Sequence, residues 1–277
     1  MVNLMKNVTS PGNPASVRRL ALAALALLVL ALLAACGGDD EEAGAPGDPA
    51  DDDAPAVFTE ADAQQAAEAS LLTLDDFPSG WTSKPAEADD DDDFEPEGLP
   101  PDCALIFAQG EDTDDDTVAE VVSDDFVGRN DEEVSSEVSV LKSARLAEFQ
   151  FDMMQGFFDT CSGPMEEAFQ TMFEEEMAAD QAAGEEPVEV TLSDFRFREQ
   201  AFPDYGDDSL AMEIAFSMQA SFIAFDLEVD IILVRVGPMM GSVSFGSFLE
   251  PVDPALEEEL AGLLAERMEA ASAALGD

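Results

Sequence analysis

The chain contains no histidine, only three lysines (Lys6, Lys84 and Lys142), and one residue each of tryptophan and tyrosine. Without imidazole there is no Ser-His-Asp or Cys-His catalysis and no histidine-ligated metal site. Positive charge is scarce: Lys plus Arg is 11 against 63 for Asp plus Glu, a formal charge of −52. Nucleic acids are held mainly by basic groups opposite phosphates, so this charge excludes them as partners. It also argues against a chain lying flat on an anionic bilayer. An acidic, lysine-poor, alanine-rich surface fits a high-salt habitat, where counter-ions screen the self-repulsion of the compact state. Hydrophobic residues make up 46% of the chain, enough to build a core.

Every acid lies beyond Cys36, whereas Lys6, Arg18 and Arg19 precede it. Residues 20–35, LALAALALLVLALLAA, are uniformly apolar. A basic segment followed by a short apolar run is an export signal. A spanning helix needs about 20 apolar residues, and Gly37-Gly38-Asp39-Asp40 prevents extension. Leu33-Ala34-Ala35-Cys36 resembles the bacterial lipobox. That resemblance implies a diacylglycerol on the Cys36 thiol and cleavage before it. Arg18-Arg19 also resembles a twin-arginine signal, so the general and twin-arginine export routes both stay open. The expected organisation is a lipoprotein signal peptide over 1–35, a lipidated Cys36 with a disordered acidic tether over 36–57, and a single domain over 58–277. The tether is almost entirely Gly, Pro, Ala, Asp and Glu. As a flexible coil it spans ~25 Å.

Within the domain, Thr59-Glu60-Ala61-Asp62 reads as a capping box opening a helix over about 60–74. Pro78 and Gly80 mark a turn, and Trp81 begins a short extended segment over the core. Residues 118–127 and 133–141 read as two strands joined by a hairpin turn at Gly128–Asp131. Over 142–160 the period becomes helical, with Ala144, Ala147, Phe151, Met154 and Phe158 on one face that continues to Cys161. Ser162-Gly163-Pro164 predicts a stop, and a second helix follows over about 165–180. From 188 the period is two. Val188, Val190 and Leu192 alternate, and Phe195 and Phe197 resume out of phase, which predicts a bulge. Three more strands follow, and Asp253-Pro254 caps a last helix with Leu256, Leu260, Leu263 and Met268 on its buried side. The fold class expected is α+β: a twisted antiparallel sheet of about six strands with helices packed mainly on one face.

With Cys36 assigned to lipid, Cys103 and Cys161 remain, and an exported chain usually bonds such a pair. Asp112, Asp114 and Asp116 have the first spacings of a calcium loop. However, Thr117 stands where that loop needs glycine and Ser123 where it needs glutamate, so no metal site is expected. Asp89–Asp93 reads as solvated loop. No catalytic residue and no cofactor are expected, and no ligand-binding residue can be named.

Leu33-Ala34-Ala35-Cys36, the acidic tether, Leu71-Leu72-Thr73-Leu74-Asp75-Asp76-Phe77-Pro78-Ser79-Gly80-Trp81, Cys103, and Phe158-Asp159-Thr160-Cys161-Ser162-Gly163 together resemble actinobacterial cell-envelope lipoproteins. Beyond these, the chain is similar to the extracellular sensor domains of mycobacterial receptor-type serine/threonine kinases. The resemblance spans about 60–275. It implies an antiparallel sheet with helices around a ligand cleft, in a family braced by two disulfides where this chain can form one. The expectation is a non-enzymatic, lipid-anchored binding or sensor-like module at the cell membrane, on its extracytoplasmic side. Its partners would be the membrane, through lipid on Cys36, and a small apolar ligand or an envelope protein. Two alternatives stand beside it. One is a carrier of a lipid or other apolar molecule, lined by Met212, Phe216, Met218, Phe222 and Phe225. The other is a carboxylate-based hydrolase. The anchor is tested by Cys36→Ala, which is expected to move the protein from the membrane fraction to the soluble fraction; retention in the membrane would remove the lipid assignment.

Overall fold

The computed structural model describes residues 58–86, 100–101, 103–104, 116–182, 190–220, 223–247 and 251–275. The lipobox, Cys36, the tether and Asp89–Asp93 lie outside them, as do Asp112 and Asp114. Three α-helices are described: α1 (Glu60–Ser70), α2 (Ala144–Ala182) and α3 (Pro254–Leu275). The strands are β1 (Thr82–Lys84), β2 (Thr117–Val122), β3 (Asp125–Val127), β4 (Glu133–Leu141), β5 (Val190–Gln200), β6 (Asp208–Ala220), β7 (Ile223–Val236) and β8 (Met239–Ser247). They form one twisted antiparallel sheet in the order β1-β3-β4-β8-β7-β6-β5, with β2 also on β4. The fold is α+β, as expected.

Eight strands replace about six for local reasons. β2 and β3 are two parts of one expected strand, both antiparallel to β4. They separate at Ser123-Asp124, where Ser136 N–H donates to the Ser123 hydroxyl at 2.9 Å and Ser123 N–H donates to the Ser136 carbonyl at 2.8 Å. The extended segment after Trp81 is long enough to pair with β3 and becomes β1. The bulge expected before Phe195 is present: register slips between Ser193 and Arg196, with Asp194 at φ 56.

The apolar positions divide between the two faces. On the first, α1 and α3 cover β4, β8 and the end of β7 through Ala63, Ala67, Val134, Val138, Ile232, Val234, Val243, Phe245, Leu260, Leu264 and Met268. On the second, α2 covers Phe197, Met212, Ile214, Phe216, Leu227, Ile231 and Leu233. Two helices therefore share a face and the third lies opposite. Arg267 of α3 locks the first layer. Its guanidinium donates to the Leu71 carbonyl at 2.7 Å and to both Asp76 oxygens at 2.7 and 2.9 Å. Partial burial opposes ionisation of Asp76, but these bonds and those from Thr73 hold its carboxyl below the usual range.

Two boundaries differ from expectation. The first helix ends at Ser70, and Leu74–Asp76 forms a separate 3-10 turn with Thr73 and Asp76 as its own capping box. The stop expected at Ser162-Gly163-Pro164 does not occur, and α2 runs through Pro164. An interior proline costs about 3 kcal/mol. Buried Phe157, Phe158, Cys161 and Met165 straddle the site and hold both halves on the sheet, and Glu166 beyond it accepts from Phe197 N–H at 3.0 Å.

Cys161 is bonded to Cys103 across 58 residues, with Cα atoms 5.6 Å apart and both cysteines buried. Closing a loop of that length in the unfolded chain contributes about 4 kcal/mol by the chain-entropy estimate. Reduction, or Cys103→Ser with Cys161→Ser, is therefore expected to lower Tm by roughly 10 °C. An unchanged Tm would show that the bond restrains nothing.

Candidate functional site

The first face changes character along a single cross-strand row. Register places Ser83, Phe126, Val134, Phe245, Asp230, Glu213 and Arg198 side by side from β1 to β5. Up to β8 the row is mainly apolar; from β7 outward it is charged. The adjacent row through Glu228 and Ala215 ends at Arg196, and the one through Ile232 and Ala211 ends at Gln200. Strand alternation thus gathers Arg196, Arg198, Gln200, Glu213, Glu228 and Asp230 on one face of β5–β7. This charged end of the sheet is the candidate site.

Glu213 is at its centre. Arg198 Nη2 donates to its Oε2 at 2.7 Å, and Gln200 Nε2 reaches the same oxygen at 3.3 Å. Arg196 Nε stands 3.5 Å from Oε1 in an ion pair, and that buried oxygen accepts no hydrogen bond. Gln200 Nε2 also donates to Asp230 Oδ1, so one amide bridges two carboxylates. Glu213, Glu228 and Asp230 each offer an oxygen within 4.8 Å of the others.

Crowding like charges in a partly dry place favours protons. Burial, with Glu228 and Glu213 beside it, pushes the Asp230 carboxyl up to about 7. Burial, and then Glu213, also raises Glu228. Glu257 in the first turn of α3 is raised to about 8 by burial and by the charges of Asp230, Glu228, Asp253 and Glu258. The Arg198 guanidinium is held more firmly charged by its bond to Glu213. Chemically the patch offers guanidinium donors, an amide, and carboxyl groups that hold or release protons near neutrality. Glu213, Glu228 and Asp230 form an all-oxygen set of the kind that suits hard cations, but two arginines already serve Glu213.

None of these residues was named from the sequence, although signals existed. Glu257 falls in phase with Leu260, Ala261, Leu264 and Met268, an acid on a buried stripe. Glu213 lies between Ala211 and Ala215, and the face of β7 turns from Glu228 and Asp230 to Ile232 and Val234 within one strand. Of the other residues singled out, Asp116 forms an ion pair with Lys142 at 3.4 Å. Trp81 packs on Phe77 at 4.8 Å, at the apolar end of the face. Met212, Phe216 and Met218 are buried against α2 on the other face; Phe222 and the side chain of Phe225 lie outside the described residues.

Comparison with known proteins adds little. No protein-family pattern matches the chain, and no curated protein does. Among solved structures, the extracellular domain of PknH from Mycobacterium tuberculosis aligns with a TM-score of 0.42 at 11% identity, covering 75% of this chain and 97% of that one. A likeness this slight fixes neither fold nor function. No described helix is long and apolar enough to cross a membrane.

The raised carboxyls give stability a pH dependence of definite sign. Asp230 and Glu257 have folded-state values above their unfolded ones of 3.8 and 4.5. The folded state therefore binds more protons, and stability is lost as pH rises towards about 8. No histidine shares that window, and exposed carboxyls are already ionised above pH ~6. Tm is expected to fall by roughly 5 °C between pH ~6 and ~8.5, and Asp230→Asn is expected to flatten the fall. A rising or flat Tm in the native sequence would show that the cluster is not protonated.

Proposed function

We propose that this chain is a lipid-anchored, non-catalytic binding module of a bacterial cell envelope. It faces the extracytoplasmic side and takes its ligand on the charged end of the sheet. The observation that carries the reading is the convergence of Arg196, Arg198, Gln200, Glu213, Glu228 and Asp230 from three neighbouring strands. Arg196 and Arg198 are half exposed, while Glu213 and Asp230 are buried. A ligand would meet outward-facing donors backed by a fixed acidic floor, an arrangement suited to a polar molecule or a polar protein surface. Export is supported by the signal sequence and by the Cys103–Cys161 bond, since such bonds persist in oxidising compartments. Attachment rests on the resemblance of Leu33–Cys36 to the lipobox.

The carrier reading has weaker support, because three of the residues it needs as cavity lining are core residues between the sheet and α2. The hydrolase reading draws on one observation: Asp230 is raised to about 7, into the range of a general acid. Against it, the carboxylate oxygens lie within 4.8 Å of one another, closer than the ~5–5.5 Å of retaining glycosidases, and two arginines hold Glu213. Native mass spectrometry of the protein purified from its own envelope extract tests these readings together. A polar adduct in the native sequence that is lost in Arg196→Ala/Arg198→Ala is expected. An apolar adduct kept by both proteins would replace this reading with the carrier.

A further inference from the structure

Three buried acids lie where α3 lands on the sheet, with Glu257 in the field of Asp230 and Glu228. Glu213 is 6% exposed, Asp230 7% and Glu257 6%. They come from three different elements, and the half-buried Glu228 adjoins them. Among the described residues, the positive charge at the junction comes from β5, and both Arg196 and Arg198 pair with Glu213. Gln200 gives Asp230 a hydrogen bond but no charge. From the α3 side the facing groups are Asp253, Glu257 and Glu258, all acidic. On β8, Phe245 and Ser247 stand opposite Asp230 and Glu228 and contribute no charge. With every carboxyl ionised, the junction holds a surplus of negative charge out of water, a strongly unfavourable state.

We infer that the junction between the first turn of α3 and the β6–β7 face is a proton-operated latch, closed while its carboxyls hold protons and loosened when they release them to water. The ordinary residue for switching near neutral pH is histidine, and this chain has none. Crowded carboxyls do the same work here, and the raised pKa values of Asp230 and Glu257 set the range. The part that yields is local. Beyond Glu257, α3 is held by Leu260, Leu264 and Met268 in the core and by Arg267 on Asp76. The start of α3 is held by buried Val252, half-buried Leu256, the buried Glu257, the Asp253 cap, whose Oδ1 accepts from Ala255 N–H at 3.0 Å, and the Tyr205 hydroxyl, which donates to the Glu258 carbonyl at 3.0 Å and brings no positive charge. Release exposes Asp230 and Glu228, so on the binding-face reading proposed above the proton would regulate access to the ligand surface. The latch itself stands without that reading.

The test needs no ligand and so separates the two. Hydrogen–deuterium exchange of the full chain, corrected for the intrinsic pH dependence of exchange, is measured at pH ~6 and ~8.5. Amides of 254–261 are expected to exchange several-fold faster at the higher pH, while β4 and the Arg267 end of α3 stay unchanged. Glu257→Gln is expected to abolish the difference, and Asp230→Asn to reduce it; because Glu257→Gln keeps size and shape, it remains informative if Asp230→Asn folds poorly. Equal protection of 254–261 at both pH values would overturn the latch. So would faster exchange spread evenly over the domain, or a pH effect that survives in Glu257→Gln.

Discussion

The pairing of β7 with β8 is the contact on which the rest depends. It sets Asp230 beside Phe245 and Ile232 beside Val243, so one continuous ladder carries an apolar floor and a charged one on the same face. α1 and α3 cover the apolar part. The charged part acts on the first turn of α3, where Glu257 feels Asp230 and Glu228. A register shift of one residue along β7 would turn Asp230 into the other core and bring Ile231 to the charged side. The site and the core are therefore specified by the same hydrogen bonds.

Scarcity of cations shapes what is built on that ladder. Arg267 ties α3 to Leu71 and Asp76, and Arg235 ties the β6–β7 end to Asp208 through Nε at 2.8 Å. Lys142 pairs with Asp116. These are structural seams, each joining segments distant in sequence. Arg196 and Arg198 are placed differently, two guanidiniums on one buried carboxylate with three further acids nearby. In a chain this acidic, such a concentration serves Glu213 first and only partly offsets the burial that raises Asp230 and Glu228. Burial, not a specific partner, is the leading cause of the raised values at Asp230 and Glu257.

Much of the fold was legible because it follows from local chemistry. The Thr59–Asp62 capping box, the Gly128–Asp131 turn, the bulge before Phe195 and the Asp253-Pro254 helix start are short-range signals, and each is present. The errors came where tertiary contacts outweighed a local one. Pro164 reads as a terminator, but the residues on either side of it are buried and hold the helix together. Ser123 and Ser136 look like ordinary strand residues, yet their mutual hydrogen bonds divide β2 from β3. The charged site was half legible. Period-two alternation sets Asp226, Glu228 and Asp230 on one face of β7, but nothing local says that β5 sets Arg196 and Arg198 opposite Glu213.

By itself the sequence determined the alphabet. The basic leader, the apolar run and Leu33–Cys36 carry the expectation of export by composition and order alone. The absence of histidine and the excess of acids exclude whole classes of chemistry, whatever the fold. The two alternating periods specify an α+β domain, since strand and helix repeats are properties of neighbouring residues. Only the tertiary structure decided which acids are buried. Glu213, Asp230 and Glu257 lie up to 44 residues apart in the chain, and the raised values of Asp230 and Glu257 depend on distance through space and on loss of water. Both are consequences of strand register and of where α3 lands, and neither is written in any single segment.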